Sequence, residues 1–216
     1  MIFKDIYEQQ KCARLAENIA NEVNISNEIK QAFANTPREI FMPMSNFAYE
    51  LHAMPLSSNQ WISSPITVAK MTAALEPVGA DSVLEIGCGS GYQAALLSNL
   101  IRRVFSLERI EELSNKAIKN LETIEANVYV RYLDGHNGFK NYAPYDRILL
   151  SAYIKQVPDE LFNQLVDGGI LVAPVGDENK QYITKYIKHK DRIEEIILDS
   201  CIFVPMLNGR VPINQG

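Results

Sequence analysis

Residues 83–92 read VLEIGCGSGY, and this segment is the most informative part of the sequence about the fold. Four strand-forming residues run into three glycines at alternating positions, an arrangement that typically brings bare backbone up to a ligand. A dinucleotide fingerprint requires the spacing G-x-G-x-x-G, but Tyr92 stands where its third glycine belongs. A phosphate-binding P-loop is excluded as well, because no Gly-Lys-Ser/Thr sequence follows the turn.

Strand and helix patterns alternate from this turn onward. Strands are predicted over 82–87, 103–108, 127–134, 145–152 and 169–176, and helices over 92–101, 110–124 and 159–166. This alternation indicates a Rossmann-like, doubly wound, mostly parallel sheet with helices on both faces. Residues 182–205 instead read as an antiparallel strand pair with a turn near 189–192.

The segment before the turn is predicted to be helical at its start and again just before the sheet. Two or three short helices fill residues 4–35, one of them after the capping residues Ser26 and Asn27. A polar, loop-like stretch continues through Gln60, and Ser64-Pro65 then begins another helix.

Composition limits the class of protein. Hydrophobic residues make up 47% of the 216 residues and the formal net charge is −5, without a dense basic run, which argues against a nucleic-acid surface. The charged N-terminus does not resemble a signal peptide, and no apolar run is long enough for a membrane span. Cys12, Cys88 and Cys201 lie far apart, which predicts reduced thiols in a cytoplasmic protein and no metal site.

Three acidic residues are predicted on successive strands near the turn. Glu85 lies inside the first strand, Glu108 ends the second, and Asp134 with Gly135 ends the third. A carboxylate at the tip of the second strand is placed to accept both hydroxyls of a ribose, and Asp134 to accept from an adenine amino group. The combination predicts S-adenosylmethionine as the cofactor; the alternative is that these acids are ordinary polar residues at strand ends.

From about Pro37 to Leu207 the sequence resembles the protein-L-isoaspartate (D-aspartate) O-methyltransferases. The turn alone is typical of any methyltransferase of this fold, whereas its combination with the surrounding segments is far more specific. The segments that carry the resemblance are PREIF (37–41), Pro55-Leu56, QWISSP (60–65), VLEIGCGSGYQAALLS (83–98), SLERI (106–110), DG (134–135), YDRILLSA (145–152), VPDELFNQLVDGGILVAPVG (157–176) and FVPM (203–206).

The resemblance implies methylation of the free carboxylate of L-isoaspartyl residues in damaged proteins or peptides. Ser63 matches the active-site serine of the family, and Gln60, Ile62 and Ser63 would form a loop over cofactor and acceptor. The implied cofactor site comprises the segment 85–91, with Glu85, Gly87, Gly89 and Gly91, together with Glu108, Asp134 and Gly135.

A carboxylate acceptor demands little acid–base chemistry. Its unperturbed pKa is about 3.3–3.7, so it is already ionised near neutral pH. Alignment of the carboxylate with a sulfonium methyl group can be driven by proximity and orientation, worth up to roughly 7–11 kcal/mol. Ser63 is therefore expected to act as a hydrogen-bond donor. No Ser/His/Asp set is evident, since His52, His136 and His189 stand in no motif.

The acceptor loop departs from the family pattern. Ser57, Asn59 and Trp61 stand where Gly, Gly and Thr are usual, and Ala152-Tyr153 replaces Ala-Ala. We expect Trp61 and Tyr153 to contact the substrate; the alternative for Trp61 is packing in the core. These departures leave two other functions open, namely methylation of a different, small carboxylate and a non-catalytic, cofactor-binding adaptor.

The length favours one domain. Within residues 1–216 we expect three parts: a helical extension with the acceptor loop (1–65), the cofactor-binding core (66–176), and the C-terminal strands and tail (177–216).

Overall fold

The computed structural model describes residues 3–213, so the ends of the predicted domain, 1–2 and 214–216, lie outside the described residues. The α-helices of the described part are α1 (Ile6–Glu22), α2 (Asn27–Ala34), α3 (Pro65–Leu75), α4 (Tyr92–Ser98), α5 (Glu111–Thr123) and α6 (Asp159–Asn163). Its strands are β1 (Met54–Pro55), β2 (Trp61–Ile62), β3 (Ser82–Ile86), β4 (Arg103–Glu108), β5 (Val128–Tyr132), β6 (Tyr145–Leu150), β7 (Leu165–Gly176), β8 (Gln181–His189) and β9 (Arg192–Cys201).

Seven strands form one sheet in the order β5-β4-β3-β6-β7-β8-β9. Neighbouring strands from β5 to β7 are parallel, whereas β8 and β9 are antiparallel to their neighbours. This confirms the predicted, mostly parallel sheet with its antiparallel C-terminal pair. The direction of winding reverses between β3 and β6, and ligands of such sheets bind in the crevice outside the carboxyl ends at that point.

The two faces of the sheet are covered unequally. Side chains alternate between the faces, so Val83 joins one core cluster while Leu84 and Ile86 join the other. Buried residues of α1 to α5 pack on the face of Val83, and among the described helices only α6 contributes to the opposite cluster. No helix within residues 3–213 has the length and apolar character needed to cross a bilayer.

Two predicted helix starts are confirmed in atomic detail. The Ser26 hydroxyl accepts a hydrogen bond from the Ile29 amide at the start of α2. The Ser64 hydroxyl caps α3 by accepting from the Thr67 amide at 3.1 Å, and Pro65 takes the first helical position. Because each cap satisfies an otherwise unpaired N–H group, both helices begin where the sequence indicates.

The boundary between α6 and β7 differs from the prediction. The helix was expected to continue to residue 166, but it ends at Asn163. The Gln164 carbonyl accepts from the Tyr145 amide at 2.7 Å, and Leu165 already pairs with Tyr145 in the sheet. The backbone of Gln164 and Leu165 is therefore hydrogen-bonded to or paired with β6, and it is not available to continue the helix.

The predicted loop before Trp61 contains a short hairpin. Met54 pairs with Ile62 and Pro55 with Trp61, which makes β1 and β2 a separate two-stranded sheet. Ser58 and Asn59 close the hairpin with φ values of 57° and 54°. Both residues have left-handed backbone conformations, which glycine usually provides. The turn therefore forms with Asn59 at a position where the family usually has glycine.

Candidate active site

The glycine turn joins β3 to α4 at the carboxyl edge of the sheet. Gly87, Gly89 and Gly91 have φ values of 98°, 56° and 91°, which other residues rarely adopt. The amides of Gly87 and Cys88 both donate to the Leu107 carbonyl, at 2.9 and 3.0 Å, and hold the turn against the end of β4. The turn thus exposes backbone at the switch point of the sheet.

The three glycines do not serve the same purpose. Gly87 and Gly89 line a cavity of about 260 Å³, which we call the main cavity. Gly91 faces α5 instead, where an added Cβ would lie 3.3 Å from Leu121 Cγ. Gly91 therefore allows close packing of α4 against α5 and is not part of the cavity wall.

Glu108 links the turn to the next strand. Its carboxylate accepts hydrogen bonds from the Gly89 amide at 2.8 Å and from the Ile110 amide at 2.9 Å. Burial raises the pKa of Glu108, although these backbone bonds oppose the shift. The side chain is 5% exposed and lines the main cavity, so its carboxylate borders the cavity while fixing the turn.

Asp134 and Gly135 form the wall of the main cavity beyond β5. Asp134 Oδ1 accepts from the His136 amide at 3.0 Å, and Oδ2 accepts from the Gly209 amide at 2.6 Å. Partial burial disfavours the charge, but these bonds prevail and lower the pKa of Asp134. At Gly135 an added Cβ would overlap Ile86 Cγ2, so only glycine lets the two strand ends approach this closely.

Glu85 lies beneath the turn, away from the main cavity. It borders a small cavity of about 50 Å³, which Ser63 and Tyr92 also line. Ser106, its register partner on β4, donates a hydroxyl hydrogen bond to Oε2 at 2.5 Å, while Oε1 has no partner among the described residues. Complete burial raises the pKa of Glu85 to about 8, and the nearby charge of Glu108 adds to the shift.

The β1–β2 hairpin brings the predicted acceptor loop to the cavities. Gln60 and Trp61 line the main cavity, whereas Ile62 and Ser63 line the small one. Ile62 is buried, but Trp61 is 55% exposed, so the alternative that Trp61 packs in the core is wrong. The structure therefore brings Gln60, Ile62 and Ser63 beside the glycine turn, while their contact with cofactor and acceptor stays a prediction from the resemblance.

A third cavity, the outer cavity, adjoins the main one and has a volume of about 360 Å³. The two share Trp61, Ser151 and Val204, and Ser63 also lines the outer cavity. Ser151 lines all three cavities and donates its amide to the Ile86 carbonyl at 2.8 Å. Ser151 was not predicted as a site residue, although it stands near the end of the predicted strand over 145–152, where ligand contacts are common.

The segment after β9 closes the main cavity and was also missed. Residues 204–207 line the cavity, and Tyr153 holds them through its backbone. Its amide donates to the Val204 carbonyl and its carbonyl accepts from the Met206 amide, both at 2.8 Å. Tyr153 itself lines none of the three cavities, so the structure places it behind this wall.

Arg38 supports the acceptor loop from below. It is fully buried, and its Nη2 donates to the Ser63 carbonyl at 2.9 Å. The guanidinium lies 5.1 Å from the centre of the Tyr92 ring, and burial lowers its pKa. Arg38 belongs to the PREIF segment, but its contact with Ser63 was not predicted. A local sequence pattern does not show which distant carbonyl a buried arginine will bind.

Metal ligands do not cluster in the described part of the chain. Within residues 3–213 no group of three or more His, Cys, Asp or Glu side chains is placed to hold a metal ion. Two of the three histidines have carboxylate partners, His136 with Asp134 and His189 with Glu194. None of the three histidines lines the main, small or outer cavity.

Comparisons with known proteins agree with this geometry. The chain is 47% identical over 199 residues to a protein-L-isoaspartate O-methyltransferase of Helicobacter pylori J99, covering 90% of this chain and 95% of the relative. It is 40% identical over 207 residues to a protein of that name from Pseudomonas aeruginosa LESB58, covering 94% and 98%.

Solved structures show the same fold. One, described as a protein-L-isoaspartate O-methyltransferase, superposes with a TM-score of 0.83 at 24% identity, over 92% of this chain and 66% of that one. The sequence model of the protein-L-isoaspartate(D-aspartate) O-methyltransferase family matches residues 9–211. The chain therefore belongs to the protein-L-isoaspartate(D-aspartate) O-methyltransferase family.

Proposed function

We propose that this chain transfers the methyl group of S-adenosylmethionine to the free carboxylate of L-isoaspartyl residues in damaged proteins or peptides. Family membership over residues 9–211 supports this activity. The observation that carries it is that the main cavity, beside Glu108, and the outer cavity, beside Ser63, are neighbours that share Trp61, Ser151 and Val204 in their walls. A donor and an acceptor bound in these cavities would meet near Trp61 and Ser151.

The residues of the main cavity fit the cofactor. Gly87 and Gly89 present bare backbone to its amino-acid end, and Glu108 keeps lone pairs that can accept from the ribose hydroxyls. Asp134 would accept from the adenine amino group. The small cavity shares Gly87 and Gly89 with the main cavity. If the amino-acid end extends past these glycines, the unpaired Oε1 of Glu85 would accept from its amino group. When bound, the cofactor supplies an electrophilic methyl group on a sulfonium.

Ser63 would position the acceptor. An isoaspartyl carboxylate is ionised near neutral pH, so it requires no general base. The Ser63 hydroxyl can donate to one carboxylate oxygen and leave the other free to react. Arg38, through the Ser63 carbonyl, would keep this residue in place.

Two other functions are less well supported. A non-catalytic adaptor does not agree with relatives at 40–47% identity that are named as methyltransferases over most of the chain. A small carboxylate acceptor does not account for the outer cavity, which opens toward the exposed side chain of Trp61.

Methyl transfer from labelled S-adenosylmethionine to an isoaspartyl peptide tests the proposal. The peptide with normal aspartate at the same position is the control. We expect label in the isoaspartyl peptide alone, as a base-labile ester. Equal labelling of both peptides, or labelling of neither, would contradict the proposed acceptor.

A further inference from the structure

Two large hydrophobic side chains are exposed at the outer cavity. Trp61 is 55% exposed and Ile202 is 93% exposed, and both line this cavity. All residues that line the outer cavity are uncharged. The Ser64 hydroxyl is engaged in capping α3. Apolar surface gathered at a concave site marks a place where another apolar group binds.

The backbone on both sides of the outer cavity is held in place before any ligand arrives. Trp61 belongs to β2, where it pairs with Pro55. Ile202 stands between Cys201, which pairs with Gln181 in the sheet, and Phe203. The buried side-chain amide of Gln181 accepts from the Phe203 amide at 2.8 Å and donates to its carbonyl at 3.2 Å. A ligand would therefore meet a pre-ordered surface and lose little free energy in ordering it.

The outer cavity adjoins the proposed reaction site. It shares Trp61, Ser151 and Val204 with the main cavity and shares Ser63 with the small cavity. An acceptor carboxylate held at Ser63 would thus leave the neighbouring part of the same peptide beside Trp61 and Ile202. A surface for a second copy of this chain would not need to lie beside Ser63, so the peptide is the occupant that the geometry favours.

We propose that the outer cavity is a side-chain subsite in which Trp61 and Ile202 bind a large apolar residue next to the isoaspartyl residue of the acceptor peptide. The inference rests on the proposed function and extends it to substrate preference. The hydrophobic side chains of Trp61 and Ile202 offer contact to a leucine side chain. The lining includes hydroxyl groups but no charged side chain that could pair with a lysine or an aspartate, so a charged neighbour would lose hydration for little return.

Three short isoaspartyl peptides of otherwise equal sequence test the subsite. One has serine on both sides of the isoaspartyl residue, one has leucine before it and one has leucine after it. We expect one of the leucine peptides to have a KM at least about tenfold below that of the serine peptide, because its side chain leaves water. The value of kcat should change little, since the leucine side chain would contact Trp61 and Ile202, whereas the carboxylate would be held by Ser63.

Two variants assign the preference to the cavity. Trp61→Thr and Ile202→Ser should each reduce the preference for the favoured leucine peptide severalfold. Ile202→Ser, whose position does not line the main cavity, should also leave the affinity for S-adenosylmethionine within about twofold. Ile197→Ser is the matched control, because Ile197 is also exposed, at 64%, but lies on β9 and does not line the outer cavity. This control should keep the full preference.

The outcomes separate the subsite from the function. Equal KM values for all three peptides in an enzyme that methylates them would overturn the subsite and leave the proposed function intact. Methylation of none of them would overturn the function and with it the subsite. A chain that dimerises until Ile202→Ser makes it monomeric, with an unchanged peptide preference, would show that a second copy covers this surface.

Discussion

Replacing Glu108 by glutamine separates two roles of one carboxylate. Its oxygens accept from the Gly89 amide at 2.8 Å and from the Ile110 amide at 2.9 Å. Glutamine has the same length but only one acceptor oxygen, so its NH₂ group would face one of these two N–H donors. The loss of a hydrogen bond to a charged group costs about 1.5–3 kcal/mol. We expect the free energy of unfolding to fall by about that amount.

The same substitution should weaken the cofactor complex. If the carboxylate also accepts from the ribose, a further loss of about 1.5–3 kcal/mol corresponds to roughly 10- to 150-fold in the dissociation constant. Urea denaturation and calorimetric titration with S-adenosylmethionine measure the two effects on one preparation. Glu122→Gln, at an exposed position of α5, is the control and should alter neither. A destabilised Glu108→Gln variant with unchanged affinity would refute the contact with the ribose.

Three further substitutions test other parts of the site. Gly135→Ala should destabilise the protein by about 1–3 kcal/mol, because the new Cβ overlaps Ile86 Cγ2, and adding Ile86→Ala should make the two effects non-additive in thermal melts. Ser63→Ala should lower kcat roughly 10- to 150-fold, for one lost bond to a charged group, with cofactor affinity within a few fold; a covalent adduct on Ser63 would contradict its role as a donor. Burial raises the pKa of Glu85 to about 8, so the folded state binds a proton more tightly than the unfolded state, and this stabilisation is lost as the pH rises from about 4.5 to 8. Glu85→Gln should therefore flatten the pH dependence of urea unfolding over that range, and an unchanged profile would show that Glu85 is ionised throughout.

The sheet was predictable because its signals are local. Each parallel strand is a short apolar run of the VLEI type bounded by turn residues, and the capping residues Ser26 and Ser64 mark helix starts directly. The hairpin at 54–62 was not predictable, because strands of two residues have no periodicity. The early end of α6 depends on pairing between Leu165 and Tyr145, a contact across the sheet that a local pattern does not encode.

The candidate site was predictable where it follows from the topology alone. Parallel strands end at the same edge, so Glu108 and Asp134 were expected near the glycine turn, and the structure brings them to one cavity. Tyr153 lines none of the three cavities. Its contribution is through the backbone, which holds residues 204–206 in the wall of the main cavity. Arg38 escaped prediction because its role arises from burial against Ser63 and Tyr92, distant in sequence.

The wall formed by residues 204–207 has a consequence for how the protein is made. Gln60 and Leu207 border the same cavity although about 150 residues separate them. A ribosome adds roughly 5–20 residues per second, so the two halves of the cavity emerge about 7–30 seconds apart. During that interval β3, β4 and the glycine turn can pair, but the nascent chain still lacks one side of the cavity. Retention of S-adenosylmethionine would therefore distinguish the finished protein from its translation intermediates.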